Sequence, residues 1–138
     1  MMNVILDTGP WVALIDRSEA RHPDCVTWLK GFSGNIYSTE AVLTEVLYLL
    51  NFSIIAQGAA MDFILKSIVE ILPSNIQSLR KTKILMKKYA DLPMDYADAT
   101  LVCLAADTGI QNIATFDKKD FSMYTLPARK KFNLILEG

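Results

Sequence analysis

Short apolar runs closed by turn-forming or acidic residues alternate along this chain with longer stretches of helical character. Met2-Asn3-Val4-Ile5-Leu6 has the length and hydrophobicity of a buried strand and runs straight into Asp7-Thr8-Gly9-Pro10. Pro10 suits a first helical turn with Thr8 or Gly9 near the cap, so a helix is expected to about Asp16. Pro23 opens a second helix to about Lys30, followed by a turn over residues 31–35 and a brief strand at Ile36-Tyr37. Ser38 or Thr39 caps a long helix through about Ala56; Gly58 interrupts, and residues 59–66 continue helically. Residues 68–72 read as a strand stopped by Pro73, and residues 75–89 as a basic helix. A further helix is expected over residues 95–107, closed by Gly109. Strands at 112–115 and 133–136 flank a loop or short turn at 116–121. The alternation implies the α/β class, a parallel β-sheet flanked by helices. No repeat or linker interrupts it, so a single domain over residues 1–138 is expected.

The bulk properties exclude several classes. A chain of 138 residues with 51% hydrophobic side chains can bury a core and is no disordered polymer. No apolar run approaches the ~18 residues of a membrane span, and the start carries no basic leader, so a cytoplasmic protein is expected, with no membrane partner. Cys25 and Cys103 lack metal or redox spacing and read as small buried hydrophobes. A net charge of −1 excludes a globally basic nucleic-acid binder. The positive charge is nonetheless clustered at Arg80, Lys81, Lys83, Lys87 and Lys88, at Lys118-Lys119, and at Arg129-Lys130-Lys131. Each cluster alone reads as a solvated face; together they form a track only if another feature calls for a polyanion.

Four acids stand where such a fold brings strand ends and helix starts together: Asp7, Glu45, Asp98 and Asp117. Asp7 follows an expected strand directly and Asp117 lies where another would end, the place where ligands of open α/β sheets bind. Taken singly, Asp7 and Asp117 suit turns or caps, and Asp98, three residues after the capping Asp95, suits the positive end of a helix dipole. Glu45 resists such an account. It lies mid-helix among apolar neighbours, and Leu49 occupies the place of a basic i+4 partner. Jointly, carboxylates distant in sequence and convergent in the fold point to a hard divalent cation. The one histidine, His22, is remote from all four segments, which argues for Mg²⁺ or Mn²⁺ over zinc. No Ser-His or Cys-His pairing supports covalent catalysis. Carboxylates around such an ion suit phosphoryl chemistry, with Thr8 and Thr115 placed to orient water or a carboxylate.

At this point the chain resembles PIN-domain ribonucleases, and most of all the VapC-type toxins of toxin–antitoxin pairs. The resemblance rests on residues 6–11 (Leu-Asp-Thr-Gly-Pro-Trp), residues 39–47 around Glu45, Asp95-Tyr96-Ala97-Asp98-Ala99, and residues 114–121 from Ala114 through Asp117 to Phe121. It implies a PIN-like three-layer α/β/α fold and Mg²⁺- or Mn²⁺-dependent endonucleolytic cleavage of RNA. By position, Asp7, Asp98 and Asp117 would ligate metal, Glu45 directly or through water. Thr115 would support them by hydrogen bonding, and Asp95 and Asp120 would be accessory acids. It also implies an antitoxin that covers the site, and a homodimer. One departure is Gly9, where many relatives carry Ser or Asn.

Other readings fit less well. A receiver domain would need a phosphoacceptor acid after a middle strand, and residues 50–61 contain none; a haloacid-dehalogenase-like phosphatase would need an acid where Gly9 stands. Two alternatives keep the fold: a PIN nuclease that processes or degrades RNA without an antitoxin, and a silent PIN scaffold that binds RNA or protein.

Overall fold

The computed structural model describes residues 1–136; Glu137 and Gly138, the last two positions of the expected domain, lie outside them. The strand β1 (Met2–Leu6) leads through α1 (Thr8–Ile15) and α2 (His22–Gly31) to β2 (Gly34–Ser38). From there α3 (Glu40–Leu49) and α4 (Ile54–Leu65) lead to β3 (Val69–Ile71), and α5 (Ile76–Lys88) and α6 (Tyr96–Thr108) return the chain to β4 (Asn112–Ala114). The chain then forms α7 (Lys118–Met123), a small antiparallel pair β5 (Thr125–Leu126) and β6 (Lys130–Lys131), and β7 (Asn133–Leu134).

Five strands make one sheet in the order β3-β2-β1-β4-β7, and every pairing in it is parallel. The chain steps from β1 outward to β2 and β3, then crosses back to β4 and on to β7. Right-handed crossovers in opposite directions place α1–α4 and α5–α6 on opposite faces of the sheet. The packing agrees: α1 meets α2, α3 and α4, while α5 lies along α6. The reversal falls between β1 and β4, so the crevice of the sheet opens at their carboxyl ends. Val4, Ile5 and Leu6 are wholly buried there, and the Asp7 N–H donates to Ala114 O at 3.0 Å, carrying the pairing one residue beyond β1. At the other end of β1, Gly34 pairs with Met2 at φ 148°, and a Cβ would lie 1.8 Å from the Met2 carbonyl oxygen. Only glycine fits that position.

Four expectations need correction. The long helix expected through residue 56 ends at Leu49; a turn follows and Ser53 caps α4 by accepting from the Ala56 N–H at 3.1 Å. Gly58 interrupts nothing and lies within α4. The expected loop at 116–121 contains α7, capped by Asp117. The cap of α1 is Asp7 rather than Thr8 or Gly9, because its Oδ1 accepts the Thr8 N–H. Elsewhere Thr39, Asn75, Asp95 and Gly109 cap as their residue types dictate, Gly109 in the left-handed region at φ 77°. Both cysteines are buried and unpaired. Among the described residues no helix is long and apolar enough to cross a membrane. Apolar side chains are exposed around the turn from α3 into α4: Tyr48, Leu49, Phe52, Ile54 and Ile55, the last at 82%.

Candidate active site

The carboxyl ends of β1 and β4 are tied by one hydroxyl. Thr115 donates to Asp7 Oδ2 at 2.7 Å and accepts the Asp117 N–H at 3.0 Å. The other Asp7 oxygen, Oδ1, accepts the Thr8 N–H at 2.8 Å. Parallel pairing of Leu6 with Ala114 sets this arrangement, since the two strands end level with one another. Asp7 and Thr115 are buried, so both carboxylate oxygens of Asp7 have a fixed plane.

Glu45 joins across the packing of α1 on α3. Its Oε1 accepts the Thr8 hydroxyl at 2.8 Å, which explains a mid-helix glutamate without a basic partner on its own helix. Asp98 arrives from the other face of the sheet, in the first turn of α6, where Asp95 accepts its N–H at 2.8 Å. Its Oδ2 accepts the Tyr124 hydroxyl at 3.3 Å. Asp117 begins α7 and accepts the Asp120 N–H at 3.2 Å. Thus all the acids singled out in the sequence gather at one end of the sheet. Asp7, Asp98 and Asp117 each sit at a helix N-terminus, whose dipole favours negative charge.

That help is not enough to keep the acids at their ordinary strength. Burial pushes Asp7 up to about 6, with Glu45 and Asp117 adding repulsion against the hydrogen bonds from Thr115 and Thr8. Burial likewise pushes Asp98 up to about 7, and Asp95, Asp7 and Asp117 add to it. Asp117 is raised by partial desolvation and by the neighbouring Asp120 and Asp95. The Tyr124 phenol is driven far above its usual range by burial and by Asp98, so it stays a proton donor. The neighbouring charges that raise Asp7, Asp98 and Asp117 are those of other carboxylates, a repulsion that a cation would relieve.

The PIN domain model matches residues 4–125, from within β1 to the start of β5. The chain belongs to the PIN domain family. Solved structures share its fold, among them the following two. VapC20 of Mycobacterium tuberculosis, described as a sarcin-ricin loop cleaving toxin, superposes with a TM-score of 0.77 at 23% identity, over 84% of this chain and 91% of that one. VapBC2 of Rickettsia felis, bound to a DNA fragment from its promoter, gives a TM-score of 0.58 at 18% identity, over 87% and 91%. No curated protein matches at the level of sequence.

In this PIN domain the donor set is all oxygen: His22 turns its Nδ1 to the Ala13 carbonyl at 2.7 Å, away from the acids. Among the described residues no three acidic, histidine or cysteine side chains stand close enough to enclose a metal ion by themselves. A Mg²⁺ ion does not need such a cage, because it keeps several waters and takes one or two carboxylates plus substrate phosphates. The donor types suit a Mg²⁺-like ion, which Asp7 and its nearest acids could hold together with water. Gly9 has a packing reason here: a Cβ would come 2.8 Å from Phe116 Cδ2, so the ring before Asp117 lies where a side chain would begin. Arg21 stacks on that ring, 4.2 Å from its centroid. Of the basic clusters, Lys118 and Lys119 begin α7 directly after Asp117, whereas Lys81 is paired with Asp107 at 2.7 Å on the far half of α5 and α6. The residue that sequence reading missed is Tyr124. Its only signal was a large aromatic at the end of a short helix, and nothing in the pattern tied it to Asp98.

Proposed function

We propose that this PIN domain is a Mg²⁺- or Mn²⁺-dependent endoribonuclease that hydrolyses RNA phosphodiester bonds at the acidic cluster, and that it is the toxin of a toxin–antitoxin pair. The observation that carries the reading is the buried Asp7, held on both oxygens and repelled by the carboxylates of Glu45 and Asp117. When bound, the metal ion supplies the positive charge that tolerates a phosphate among carboxylates and makes a water acidic enough to attack it. The protein's part is positioning. Thr115 and the Thr8 N–H fix the plane of Asp7, and the Thr8 hydroxyl holds Glu45 Oε1, leaving Oε2 to face water or substrate. Asp98 and Asp117 close the cluster from the opposite face and from β4, with Asp95 and Asp120 as accessory acids behind them. Lys118 and Lys119 supply positive charge beside the acids for the RNA backbone. No buried cysteine or histidine stands ready as a nucleophile, which favours water as the attacking group.

The toxin part of the reading is supported by the PIN fold shared with VapC20 and VapBC2 and by the exposed apolar side chains around the turn from α3 into α4, a surface suited to a protein partner, whether antitoxin or second copy. It places the protein in the cytoplasm with its RNA.

Paired RNA digestions test the chemistry. Wild type should cut with Mg²⁺ and not in EDTA, and Asp7→Asn should lose at least a hundredfold in rate. Cleavage in EDTA, or equal cleavage by Asp7→Asn, would overturn it. Induced expression should arrest growth with wild type and not with Asp7→Asn. Intact RNA cleavage without arrest in several hosts would instead make this a nuclease of RNA processing without an antitoxin.

A further inference from the structure

We infer that Tyr124 is a positioning residue of the acidic cluster, its buried hydroxyl aiming the Asp98 carboxylate at the other acids. The inference rests on the nuclease reading above and deepens it.

Tyr124 has no exposed surface, yet its hydroxyl reaches Asp98, which is only half-buried. A phenol oxygen inside an aromatic cluster is costly unless it finds a partner, and a phenylalanine would fill the same space without that cost. The partner it finds is Asp98 Oδ2, at 3.3 Å. The ring is held so that this is where it points. Tyr89 meets it edge-on at 5.0 Å and Phe121 at 5.1 Å, and Phe121 is held in turn by Phe132 at 5.4 Å. The backbone is fixed on both sides as well: the Tyr124 N–H donates to Asp120 O at 3.3 Å, and the next N–H, of Thr125, donates to the Tyr89 hydroxyl at 2.9 Å.

Of Asp7, Glu45, Asp98 and Asp117, only Asp98 takes its side-chain hydrogen bond from a distant aromatic residue. Asp7 has Thr115 and Thr8, Glu45 has Thr8, and Asp117 has the Asp120 N–H. Committing Oδ2 to the tyrosine leaves Oδ1 to face a cation. It also links the start of α6 to the end of α7, so the acids of two separate helices keep one spacing. Donors behind a ligand orient it, and their loss typically weakens metal binding tenfold or more.

The test is Tyr124→Phe, which removes the oxygen and keeps the ring. Mn²⁺ binding by the RNA-free protein, followed by the loss of free-ion electron paramagnetic resonance signal, should weaken roughly tenfold. The unfolding midpoint should stay within a few degrees, and kcat for RNA should fall with KM unchanged. In an Asp98→Asn background the same substitution should add nothing. Unchanged Mn²⁺ affinity in folded Tyr124→Phe, or an equal loss in the Asp98→Asn background, would overturn the assignment. Should the variant fail to fold, ¹³C-labelled tyrosine in the wild type answers the same question: the hydroxyl-bearing ring carbon of Tyr124 should shift on addition of Mg²⁺, and a fixed signal would refute the link. A wild type that binds no Mn²⁺ would bring down the nuclease reading first, and this inference with it.

Discussion

Asp7 keeps a carboxylate in a buried place, against Glu45 and Asp117, with two hydrogen bonds in its favour. Its proton is therefore held to about 6 in the folded chain, and that of Asp98 to about 7, against about 4 when unfolded. Between those limits the folded state binds more protons than the unfolded one, so stability in divalent-free buffer falls as pH rises from about 4 to about 7. For Asp7 alone the loss is on the order of 2–3 kcal/mol. Asn at position 7 keeps an acceptor for the Thr8 N–H and carries no charge to lose. Urea unfolding in EDTA should thus find wild type weaker at pH 8 than at pH 5, and Asp7→Asn more stable than wild type at pH 8 while inactive on RNA. A flat pH profile, or an Asp7→Asn protein weaker than wild type at pH 8, would contradict the burial and repulsion assigned to this residue.

At the scale of elements, α4 carries a removable weakness. Gly58 lies within the helix, and a Cβ there would meet nothing within 4 Å. Gly58→Ala should stabilise by roughly 0.5–1 kcal/mol, read as a higher urea midpoint with an unchanged slope; a lower midpoint would mean the helix needs that glycine. The elements that sequence disclosed are those with strong local chemistry. Val4-Ile5-Leu6 running into Asp7 announced both a buried strand and an acid at its end, and Asp95 with Asp98 announced the start of α6. The break after Leu49 was hidden because Leu50, Phe52, Ile54 and Ile55 continue an apolar pattern through it, and only Ser53 marks the new cap. α7 spans too few residues to show a period, although Asp117 and Asp120 have the spacing of a cap and its first turn. The β5–β6 hairpin turns through Ala128 and Arg129 at φ 61° and 60°, without the Gly or Asn that such a turn usually advertises. Asp7, Asp98, Asp117 and Thr115 drew attention in the sequence because each stands beside a strand end or helix start, and Glu45 because it lies mid-helix among apolar neighbours. Tyr124 drew none, because its contact with Asp98 exists only through the packing of α6 against the segment after α7.

Over the whole molecule, one topological reversal gathers the chemistry. The crossing back between β1 and β4 collects acids from α1, α3, α6 and α7, and no single element could hold them against their mutual repulsion. A divalent cation should therefore act as a structural ligand and as a reactant's partner at once. Scanning fluorimetry at pH 8 should show Mg²⁺ raising the unfolding midpoint by several degrees, with little effect at pH 5, where Asp7 and Asp98 hold protons. Equal shifts at both pH values, or an undiminished shift in Asp7→Asn, would mean that the ion binds elsewhere. The exposed apolar face around the turn from α3 into α4 adds a further dimension. Tyr48 and Leu49 stand three and four residues beyond Glu45 on α3, a single turn of about 5.4 Å. Whatever settles on that face grips the same rod that presents Glu45 to Thr8, so a visitor could leave the mouth of the acidic crevice open and still govern, from behind, how its glutamate is held.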